Sequence, residues 1–239
     1  VGSAPRVQEL HRLGKLKLTG VKLLVLDEFD RLLGKQHLDE VRTVIRLLPA
    51  ERQALLLSAT AGAAAVCMAE ELFAPRLIRV ESTDASYENY YHIVPFRDKI
   101  KAVQKLTRRL PIRRGLVFVG RSFDAAHALE KLRFEGIKAV ALLGQERRDQ
   151  RRAALDAIRA GRAELLISTD LAARGLDIED VDYVIHLDLP EDVRTYRHRA
   201  GRTARAGKVG AVISLVDEKE IDKLKALAAR MEIELSRLP

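Results

Sequence analysis

Three arginines near the C-terminal end of the chain, Arg199, Arg202 and Arg205, follow one another at spacings of three residues. On a helix this spacing would place the three side chains on one face. A guanidinium group presents five N–H donors that suit phosphate oxygens, and an arginine beside a transferring phosphoryl group stabilises its transition-state charge. The pattern therefore indicates a phosphate site or, as the simpler alternative, a basic helix exposed to solvent.

Two acidic residues, Asp27 and Glu28, directly follow an apolar run at residues 23–26 that we predict to be a strand. Magnesium is usually held in proteins by one or two carboxylates together with substrate phosphates. A second carboxylate beside it can orient or deprotonate a water molecule. Acidic residues are also common at helix N-termini, where the helix dipole favours them. Both interpretations stay open at this point.

Polar residues also follow other predicted strands. Ser58 and Thr60 follow residues 54–57, Gly120 and Arg121 follow residues 116–119, and the segment from Ser168 to Asp177 follows residues 165–167. Helix capping is the alternative role for the two hydroxyl groups of the first pair. The last segment combines hydroxyls, an arginine, a glycine and an acid, which makes it a candidate ligand site.

Short apolar runs alternate with longer amphipathic segments along the whole sequence. The predicted strands are residues 23–26, 54–57, 77–80, 116–119, 138–143, 165–167, 183–187 and 211–216, and the predicted helices include 38–48, 63–73, 123–134, 150–160 and 218–238. This alternation predicts an α/β fold with a parallel sheet covered on both faces. Ligands bind at the carboxyl edge of such sheets, which is where the polar residues described above would lie.

A polar stretch at residues 81–86 carries no strand pattern and indicates a linker between two domains. We expect a first domain at residues 1–81, a linker at residues 82–90, and a second domain at residues 91–239. The second domain would end in a closing amphipathic helix.

The composition favours a globular protein with a polyanionic partner. Apolar residues make up 47% of the chain and charged residues 32%, with a net charge of +8 and a pI of about 9.7. Only 5% of the residues are aromatic and none is tryptophan, so contacts with a phosphate backbone are favoured over base stacking. The one cysteine cannot form an internal disulfide, and no apolar run approaches the roughly 20 residues that span a membrane. We therefore expect a cytoplasmic protein without a membrane partner.

Four segments, in this order, resemble motifs of the DEAD-box family of ATP-dependent RNA helicases. They are Asp27-Glu28-Phe29-Asp30, Ser58-Ala59-Thr60, residues 168–177, and the pattern His198-Arg199-x-Gly201-Arg202-x-x-Arg205. The first motif departs from the family's usual sequence in having phenylalanine in its third place. The resemblance spans nearly the whole chain. It implies an enzyme that hydrolyses ATP and unwinds RNA with two RecA-like lobes, which are of the phosphate-loop NTPase type.

The resemblance also implies a role for each matching residue. Asp27 would hold Mg²⁺ through water, and Glu28 would position the hydrolytic water. Arg202 and Arg205 would be arginine fingers, and Asp177 would contact the ATP ribose. The residues coupling the nucleotide site to RNA would be Asp30, Ser58, Thr60, Arg174 and His198. The contacts with the RNA backbone would come from Arg6, Arg121, Thr169 and Gly175.

One family element is missing from the sequence, because the 239 residues contain no Gly-x-x-x-x-Gly-Lys-Ser/Thr phosphate loop. The chain therefore resembles a helicase without the N-terminal half of its first lobe, beside a complete second lobe. Alone it should hydrolyse little or no ATP. Its first lobe should be frayed, self-associate, or require a complementing N-terminal half-lobe. A non-catalytic RNA-binding module is the alternative function, and a DNA helicase of the same superfamily is a third.

Overall fold

The computed structural model describes residues 1–58, 62–73, 87–120, 122–144, 146–173, 178, 181–204 and 209–238, with only the backbone of residues 122 and 123. The chain divides into two compact units, Val1–Ser82 and Thr83–Pro239. No helix within the described ranges is long and apolar enough to cross a membrane.

The first unit places two parallel strands among its helices. Its described elements are α1 (Ala4–Arg12), β1 (Leu23–Asp27), α2 (Phe29–Leu32), α3 (Leu38–Leu47), β2 (Gln53–Leu57) and α4 (Ala63–Phe73). Two parallel strands cannot be joined by a tight turn, and α2 and α3 supply the crossover between them. Asp27 lies opposite Leu57 in the pairing of β1 with β2, so both strands end at the same edge.

The two strands of the first unit have one packed face and one exposed face, because successive side chains along a strand alternate. On the packed face, Leu26 joins Phe29 and Val41 in the core of the unit. On the other face, four apolar side chains are 51%, 47%, 44% and 45% exposed, respectively Leu23, Val25, Leu55 and Leu57. We call these four residues the apolar strand face. Parallel sheets are normally covered on both sides, and the described residues leave this side without such a cover.

The second unit is a parallel sheet with helices between its strands. Its described elements are β3 (Tyr87–Ile93), a short 3-10 helix (Phe96–Asp98), α5 (Lys99–Arg109), β4 (Gly115–Phe118), α6 (Ser122–Phe134), β5 (Ala139–Leu142), α7 (Arg148–Arg159), β6 (Leu165–Ser168), α8 (Asp170–Ala173), β7 (Tyr183–His186), α9 (Val193–Ala200), β8 (Gly210–Val216), α10 (Ile221–Met231) and β9 (Ser236–Arg237). The described strands form one sheet in the order β5-β6-β4-β7-β8-β3-β9, and every neighbouring pair is parallel. β4 lies between β6 and β7, so the carboxyl ends of these three strands are adjacent.

The central strands of this sheet are buried on both sides. In β4, Leu116 and Phe118 pack into the core on one side of the sheet, and Val117 packs into the core on the other. Gly115 allows a close approach at the start of β4, because a Cβ atom there would lie 2.6 Å from Leu165 Cδ2. Continuous apolar runs are what such doubly covered strands require. The predicted α/β fold with parallel sheets is confirmed.

The predicted linker is partly wrong. Residues 87–90 belong to β3, whereas residues 82–86 and the predicted strand at 77–80 lie outside the described residues. β3 was not predicted because Glu88, Asn89 and His92 interrupt its apolar pattern. Asn89 is nevertheless buried, and its Oδ1 accepts a hydrogen bond from the hydroxyl group of Tyr196 at 2.9 Å.

The predicted closing helix is shorter than expected. It was expected over residues 218–238, but α10 ends at Met231. Glu232 takes a left-handed backbone conformation with a φ of 58°, which ends the helix. The residues that follow form β9, which pairs with β3.

Candidate functional site

The acidic residues of the first unit lie in the turn that follows β1, as the sequence predicts. Asp27 is the exposed last residue of β1, and its Oδ1 accepts a hydrogen bond from the backbone N–H of Glu28 at 3.0 Å. Glu28 has a left-handed backbone conformation with φ 53° and ψ 47°, which is uncommon for a residue other than glycine. Phe29 is 8% exposed and packs in the core, so it anchors the turn that carries the two carboxylates.

Helix capping does not account for the carboxylate of Glu28. Glu28 is the N-cap residue of α2, yet its side chain makes no capping hydrogen bond. Its left-handed conformation costs about 1–3 kcal/mol, and residues held in this way cluster at functional sites. Asp30 does serve the helix, because its Oδ1 accepts a hydrogen bond from the backbone N–H of Arg31 at 2.9 Å. A role in orienting or deprotonating a water molecule therefore fits Glu28. A role in stabilising the helix N-terminus fits Asp30.

Magnesium at this turn would have few protein ligands. Within the described residues, no group of three or more His, Cys, Asp or Glu side chains is placed to hold a metal ion. Mg²⁺ does not need such a group, because it usually keeps several waters and is bound through one or two carboxylates and substrate phosphates. The exposed carboxylate of Asp27 fits that mode of binding.

Two other sequence-predicted residues of the first unit are described. Ser58 follows β2 directly, and because Asp27 pairs with Leu57, Ser58 lies at the same edge of the sheet as the acidic turn. Arg6 lies in α1, where its Nη1 donates a hydrogen bond to Glu9 Oε2 at 2.7 Å. The Arg6 side chain is 58% exposed, so this ion pair is weak and can give way to an anionic ligand.

In the second unit, the guanidinium group of Arg199 joins three segments of the chain. Its Nε and Nη2 atoms donate to the two carboxylate oxygens of Asp170, each at 2.7 Å. Its Nη1 donates to the carbonyl oxygen of Asp188, also at 2.7 Å. The Arg199 side chain is 4% exposed, and its guanidinium carbon lies 4.9 Å from the centre of the Phe118 ring. A two-pronged pair of this kind fixes orientation as well as distance.

These contacts tie together the carboxyl ends of three adjacent strands. Asp170 follows β6 and Asp188 follows β7, while Asp188 Oδ2 accepts a hydrogen bond at 2.7 Å from the backbone N–H of Gly120, which follows β4. We call Arg199, Asp170, Asp188 and Gly120 the Arg199 cluster. Sequence reasoning missed it. The sequence does carry a signal for it. An acid follows closely after each of two strands, β6 and β7, and the helix after the second of them is rich in arginine.

The one helical face that the spacing of the three arginines suggested is wrong for Arg199 and Arg202. α9 ends at Ala200, with Gly201 as its C-cap residue. Arg199 is buried and contacts other members of the Arg199 cluster, whereas Arg202 lies in the turn beyond the helix. Arg205 lies outside the described residues.

His198 and Arg202 nevertheless line one cleft. It is small, about 50 Å³, and we call it the α9 cleft; its lining is Phe118, Asp170, Ala173, Thr195, His198, Arg199 and Arg202. Arg199 and Asp170 form part of its wall, so the Arg199 cluster fixes the position of the cleft that His198 and Arg202 line. An anionic group at this cleft would lie beside the guanidinium group of Arg202.

Thr169 lies beside the same cluster. It is 7% exposed, and its Oγ1 accepts a hydrogen bond from the backbone N–H of Ala172 at 3.3 Å. The side chain therefore supports the start of α8 directly before Asp170. A hydroxyl group both donates and accepts, so the hydroxyl proton of Thr169 can donate a further hydrogen bond.

Three buried polar side chains of the second unit, those of His186, Tyr196 and Ser214, lie close together. His186 of β7 has its Nδ1 3.1 Å from Ser214 Oγ of β8, and its ring centre is 4.9 Å from that of Tyr196 in an edge contact. Burial, and after it the positive charge of Arg199, hold the pKa of His186 well below its ordinary value of 6.5. Burial also raises the pKa of Tyr196. His186 is therefore neutral, and its Nε2 has no hydrogen-bond partner among the described residues.

The sequence-predicted residues fall into two described groups and one that lies outside the described residues. Those of the first unit are Arg6, Asp27, Glu28, Asp30 and Ser58, and those of the second are Thr169, His198 and Arg202. The ones outside the described residues are Thr60, Arg121, Arg174, Gly175, Asp177 and Arg205. The roles of this last group stay predictions.

Comparison with known proteins finds a family match in each of the two units. A family model described as DEAD/DEAH box helicase matches residues 1–68, and one described as helicase conserved C-terminal domain matches residues 98–207. The crystal structure of the E. coli DEAD-box protein SrmB bound to regulator of ribonuclease activity A is 32% identical, with a TM-score of 0.62, over 66% of this chain and 92% of that chain. The chain belongs to the DEAD-box helicase family.

Other DEAD-box relatives are longer than this chain. The DEAD-box ATP-dependent RNA helicase CshC of Bacillus cereus is 39% identical over 236 residues, which cover 98% of this chain and 60% of the relative. The structure of S. cerevisiae Dbp5 bound to RNA and ADP BeF3 is 32% identical with a TM-score of 0.85, and the match covers 100% of this chain and 65% of that one. This DEAD-box chain therefore covers the C-terminal part of the helicase core.

Membership of the DEAD-box family confirms the resemblance seen in the sequence and the RecA-like α/β fold. The match of the DEAD/DEAH box model to residues 1–68 is consistent with a truncated first lobe. Of the described motif residues of this DEAD-box chain, Asp27, Glu28, Ser58 and Thr169 lie at or directly after strand ends, as the fold class leads one to expect, whereas His198 lies in α9 and Arg202 in the turn beyond it.

Proposed function

We propose that this chain provides the C-terminal part of an ATP-dependent RNA helicase, which couples ATP binding and hydrolysis to the unwinding of RNA duplexes. The observation that carries the proposal is the position of Asp27 and Glu28 directly after β1, together with the α9 cleft that His198 and Arg202 line in the second unit. The names of the relatives support it, because CshC is called an ATP-dependent RNA helicase and the Dbp5 structure holds RNA and ADP BeF3.

The acidic turn would prepare the attacking water. Asp27 would hold Mg²⁺ through water molecules, and magnesium bound there would neutralise charge on the nucleotide phosphates. Glu28 would orient the hydrolytic water and take its proton. The hydrogen bond from the backbone N–H of Glu28 to Asp27 Oδ1 keeps the two residues in a fixed relation.

The arginines would have different tasks. Arg202 and Arg205 would stabilise the charge that develops on the transferring phosphoryl group. Arg199 is a positioning residue, because its donors are directed to Asp170 and Asp188. Asp177 would contact the ATP ribose. The residues proposed to couple the nucleotide and RNA sites are Asp30, Ser58, Thr60, Arg174 and His198.

RNA would be bound mainly through its phosphate backbone. The net charge of +8 and the low aromatic content favour this mode over base stacking. The proposed contacts are Arg6, Arg121, Thr169 and Gly175. Strand separation would follow if ATP and RNA favour the same conformational state, because each ligand then raises the affinity for the other.

The apolar strand face suggests how the first unit is completed. Its four exposed side chains form a surface of the kind that is normally covered in a parallel sheet. We propose that a polypeptide carrying a phosphate loop, the N-terminal half of a first lobe, packs on this face, and that second copies of the chain pack there in its absence. The 239 residues contain no phosphate-loop sequence, so the chain alone would hydrolyse little or no ATP.

A non-catalytic RNA-binding module is the second candidate, and the missing phosphate-loop sequence is the observation that favours it. RNA-stimulated ATP hydrolysis separates the two functions. The assay uses the chain with and without a polypeptide comprising the phosphate-loop half-lobe of a DEAD-box relative. Hydrolysis that appears only in the mixture supports the helicase. RNA binding without hydrolysis in either sample contradicts it and supports the binding module.

A further inference from the structure

The turn after β5 in the second unit is closed by a carboxylate. Glu146 lies between β5 and α7, and its side chain reaches back to the two residues that follow the strand. Its Oε1 accepts a hydrogen bond from the backbone N–H of Leu143, and its Oε2 accepts one from the backbone N–H of Gly144 at 2.9 Å. Hydrogen bonds to a charged acceptor are stronger than those between neutral groups. We call Leu143, Gly144 and Glu146 the Glu146 turn.

Helix capping does not account for these two hydrogen bonds. The N-cap residue of α7 is Arg147, and its backbone N–H donates to Gln150 Oε1 at 3.1 Å. The start of α7 therefore has a polar partner of its own. Both donors to Glu146 precede the helix, so the carboxylate holds the carboxyl end of β5.

The Glu146 turn lies beside the start of α8. In the pairing of β5 with β6, Leu142 lies opposite Ser168, and the buried hydroxyl group of Ser168 is 3.4 Å from the carbonyl oxygen of Leu142. Gly144 has a φ of 90°, a conformation that favours glycine. A Cβ atom on Gly144 would lie 3.8 Å from the Cβ atom of Ala172 in α8. The backbone that Glu146 holds is therefore next to α8.

The position of Thr169 depends on this short helix. The backbone N–H of Ala172 donates to Thr169 Oγ1 at 3.3 Å, and that of Ala173 donates to the carbonyl oxygen of Thr169 at 2.9 Å. Because β6 lies between β5 and β4 in the sheet, the start of α8 has two neighbours. The Arg199 cluster holds Asp170 on the β4 side, and the Glu146 turn lies on the β5 side.

We propose that Glu146 is a positioning residue for RNA, which fixes the place of α8 and of the Thr169 hydroxyl group by holding Leu143 and Gly144. The inference rests on the proposed function, in which Thr169 contacts the RNA backbone. Glu146 itself does not touch RNA, because a carboxylate and a phosphate repel each other. Its removal therefore has an effect of unusual sign. Loss of an ordinary surface acid leaves RNA affinity unchanged or raises it, whereas loss of the Glu146 carboxylate lowers it.

The test is the binding of a short, fluorescently labelled single-stranded RNA to the full chain, measured by fluorescence anisotropy at one salt concentration. The variant E146Q keeps the size of the side chain but replaces one oxygen acceptor by an amide donor. Its Kd for RNA should rise about threefold to tenfold. The matched control D149N removes the same charge from a side chain that is 68% exposed in the first turn of α7. Its Kd should stay unchanged or fall.

Backbone amide resonances report the position of α8 without RNA. In E146Q the amide resonances of Thr169 and Ala172 should shift together with those of Leu143 and Gly144. In D149N the resonances of Thr169 and Ala172 should stay at their wild-type positions. The other resonances of the second unit show in the same spectra that both variants are folded.

Four results overturn the proposal while the wild type binds RNA. They are unchanged or tighter RNA binding by E146Q, an equal loss of affinity in both variants, amide shifts in E146Q that do not reach Thr169, and a lower melting temperature of E146Q with unchanged RNA affinity. The last of these would make Glu146 a residue of structure alone. Failure of the wild type to bind RNA is a distinct result, because it contradicts the proposed RNA contact of Thr169 and this inference with it.

Discussion

Arg199 in α9 holds Asp170, the first residue of α8, through two hydrogen bonds of 2.7 Å. The contact joins the segment after β6 to the helix that follows β7. Thr169 directly precedes Asp170, and His198 directly precedes Arg199. One partly buried contact therefore sets the relative position of a residue proposed to bind RNA and a residue proposed to couple RNA to ATP. A shift of α9 cannot occur without breaking this contact or moving the end of β6.

Replacing Arg199 by methionine should lower the free energy of unfolding of the second unit by about 1–3 kcal/mol. Methionine keeps an apolar stem in the buried position but removes every donor, so the carbonyl oxygen of Asp188 loses its bond to the guanidinium group. The side chain of Asp170 is 39% exposed, and water can replace part of what it loses. The loss should therefore stay below the about 3–5 kcal/mol that follows when a fully buried ion pair is broken. Urea unfolding measures it.

The control for this variant is Arg197→Met in the same helix. The side chain of Arg197 makes no hydrogen bond or ion pair with another described residue, so its removal should change stability by less than about 0.5 kcal/mol. Equal losses in the two variants would show that the Arg199 cluster does not stabilise the unit.

The stability of the second unit should fall as the pH is lowered below about 6.5. Burial and the charge of Arg199 lower the pKa of His186 in the folded state, so the unfolded chain binds a proton that the folded chain does not. The contribution of His186 is fully present above its unfolded pKa. It is lost at up to about 1.4 kcal/mol per pH unit as the pH falls toward the folded pKa. Urea unfolding at about pH 7.5 and about pH 5.5 measures the loss.

His186→Gln isolates the contribution of this one ring. Glutamine is uncharged at both pH values and keeps a polar group near Ser214 Oγ, which is 3.1 Å from His186 Nδ1. The variant should lose less stability than the wild type between the two pH values. The same loss in both proteins would mean that other groups cause the acid sensitivity.

Much of the fold could be predicted from the sequence where one local pattern decides the structure. β4 and β6 are buried on both sides of the sheet, so each reads as an unbroken apolar run. The acidic turn could be placed for the same reason, since Asp27 and Glu28 directly follow such a run. β3 shows the limit, because its buried Asn89 accepts a hydrogen bond from Tyr196, which is 107 residues away in the sequence.

The Arg199 cluster could not be predicted because contacts between distant segments decide it. By their spacing alone, Arg199 and Arg202 would lie on the same face of one helix. In the fold, Gly201 ends α9 between them, and Arg199 pairs with Asp170, which is 29 residues away and follows β6. Which arginine is buried and which lies in the turn depends on the strand order β6-β4-β7, which no local pattern contains.

Leu55→Gln should reduce self-association of the chain and its complementation by a phosphate-loop half-lobe. Leu55 is 44% exposed on the apolar strand face, and glutamine has a similar size but favours contact with water. Sedimentation velocity over a range of concentrations should show a shift toward monomer. The control is Leu47→Gln, at a 37% exposed position on α3. An equal shift in both variants, or none in Leu55→Gln, would exclude this face as the contact.

The most direct measurement is the rate of RNA-stimulated ATP hydrolysis by the chain mixed with a phosphate-loop half-lobe, comparing the wild type with Glu28→Gln. A positioned general base contributes about 10²–10⁴-fold, so kcat should fall by about 100-fold or more while RNA affinity is kept. The control Glu51→Gln changes an exposed acid of the same unit and should leave kcat unchanged. Hydrolysis at the wild-type rate by Glu28→Gln in the complemented mixture would contradict the assignment of the acidic turn as the catalytic site.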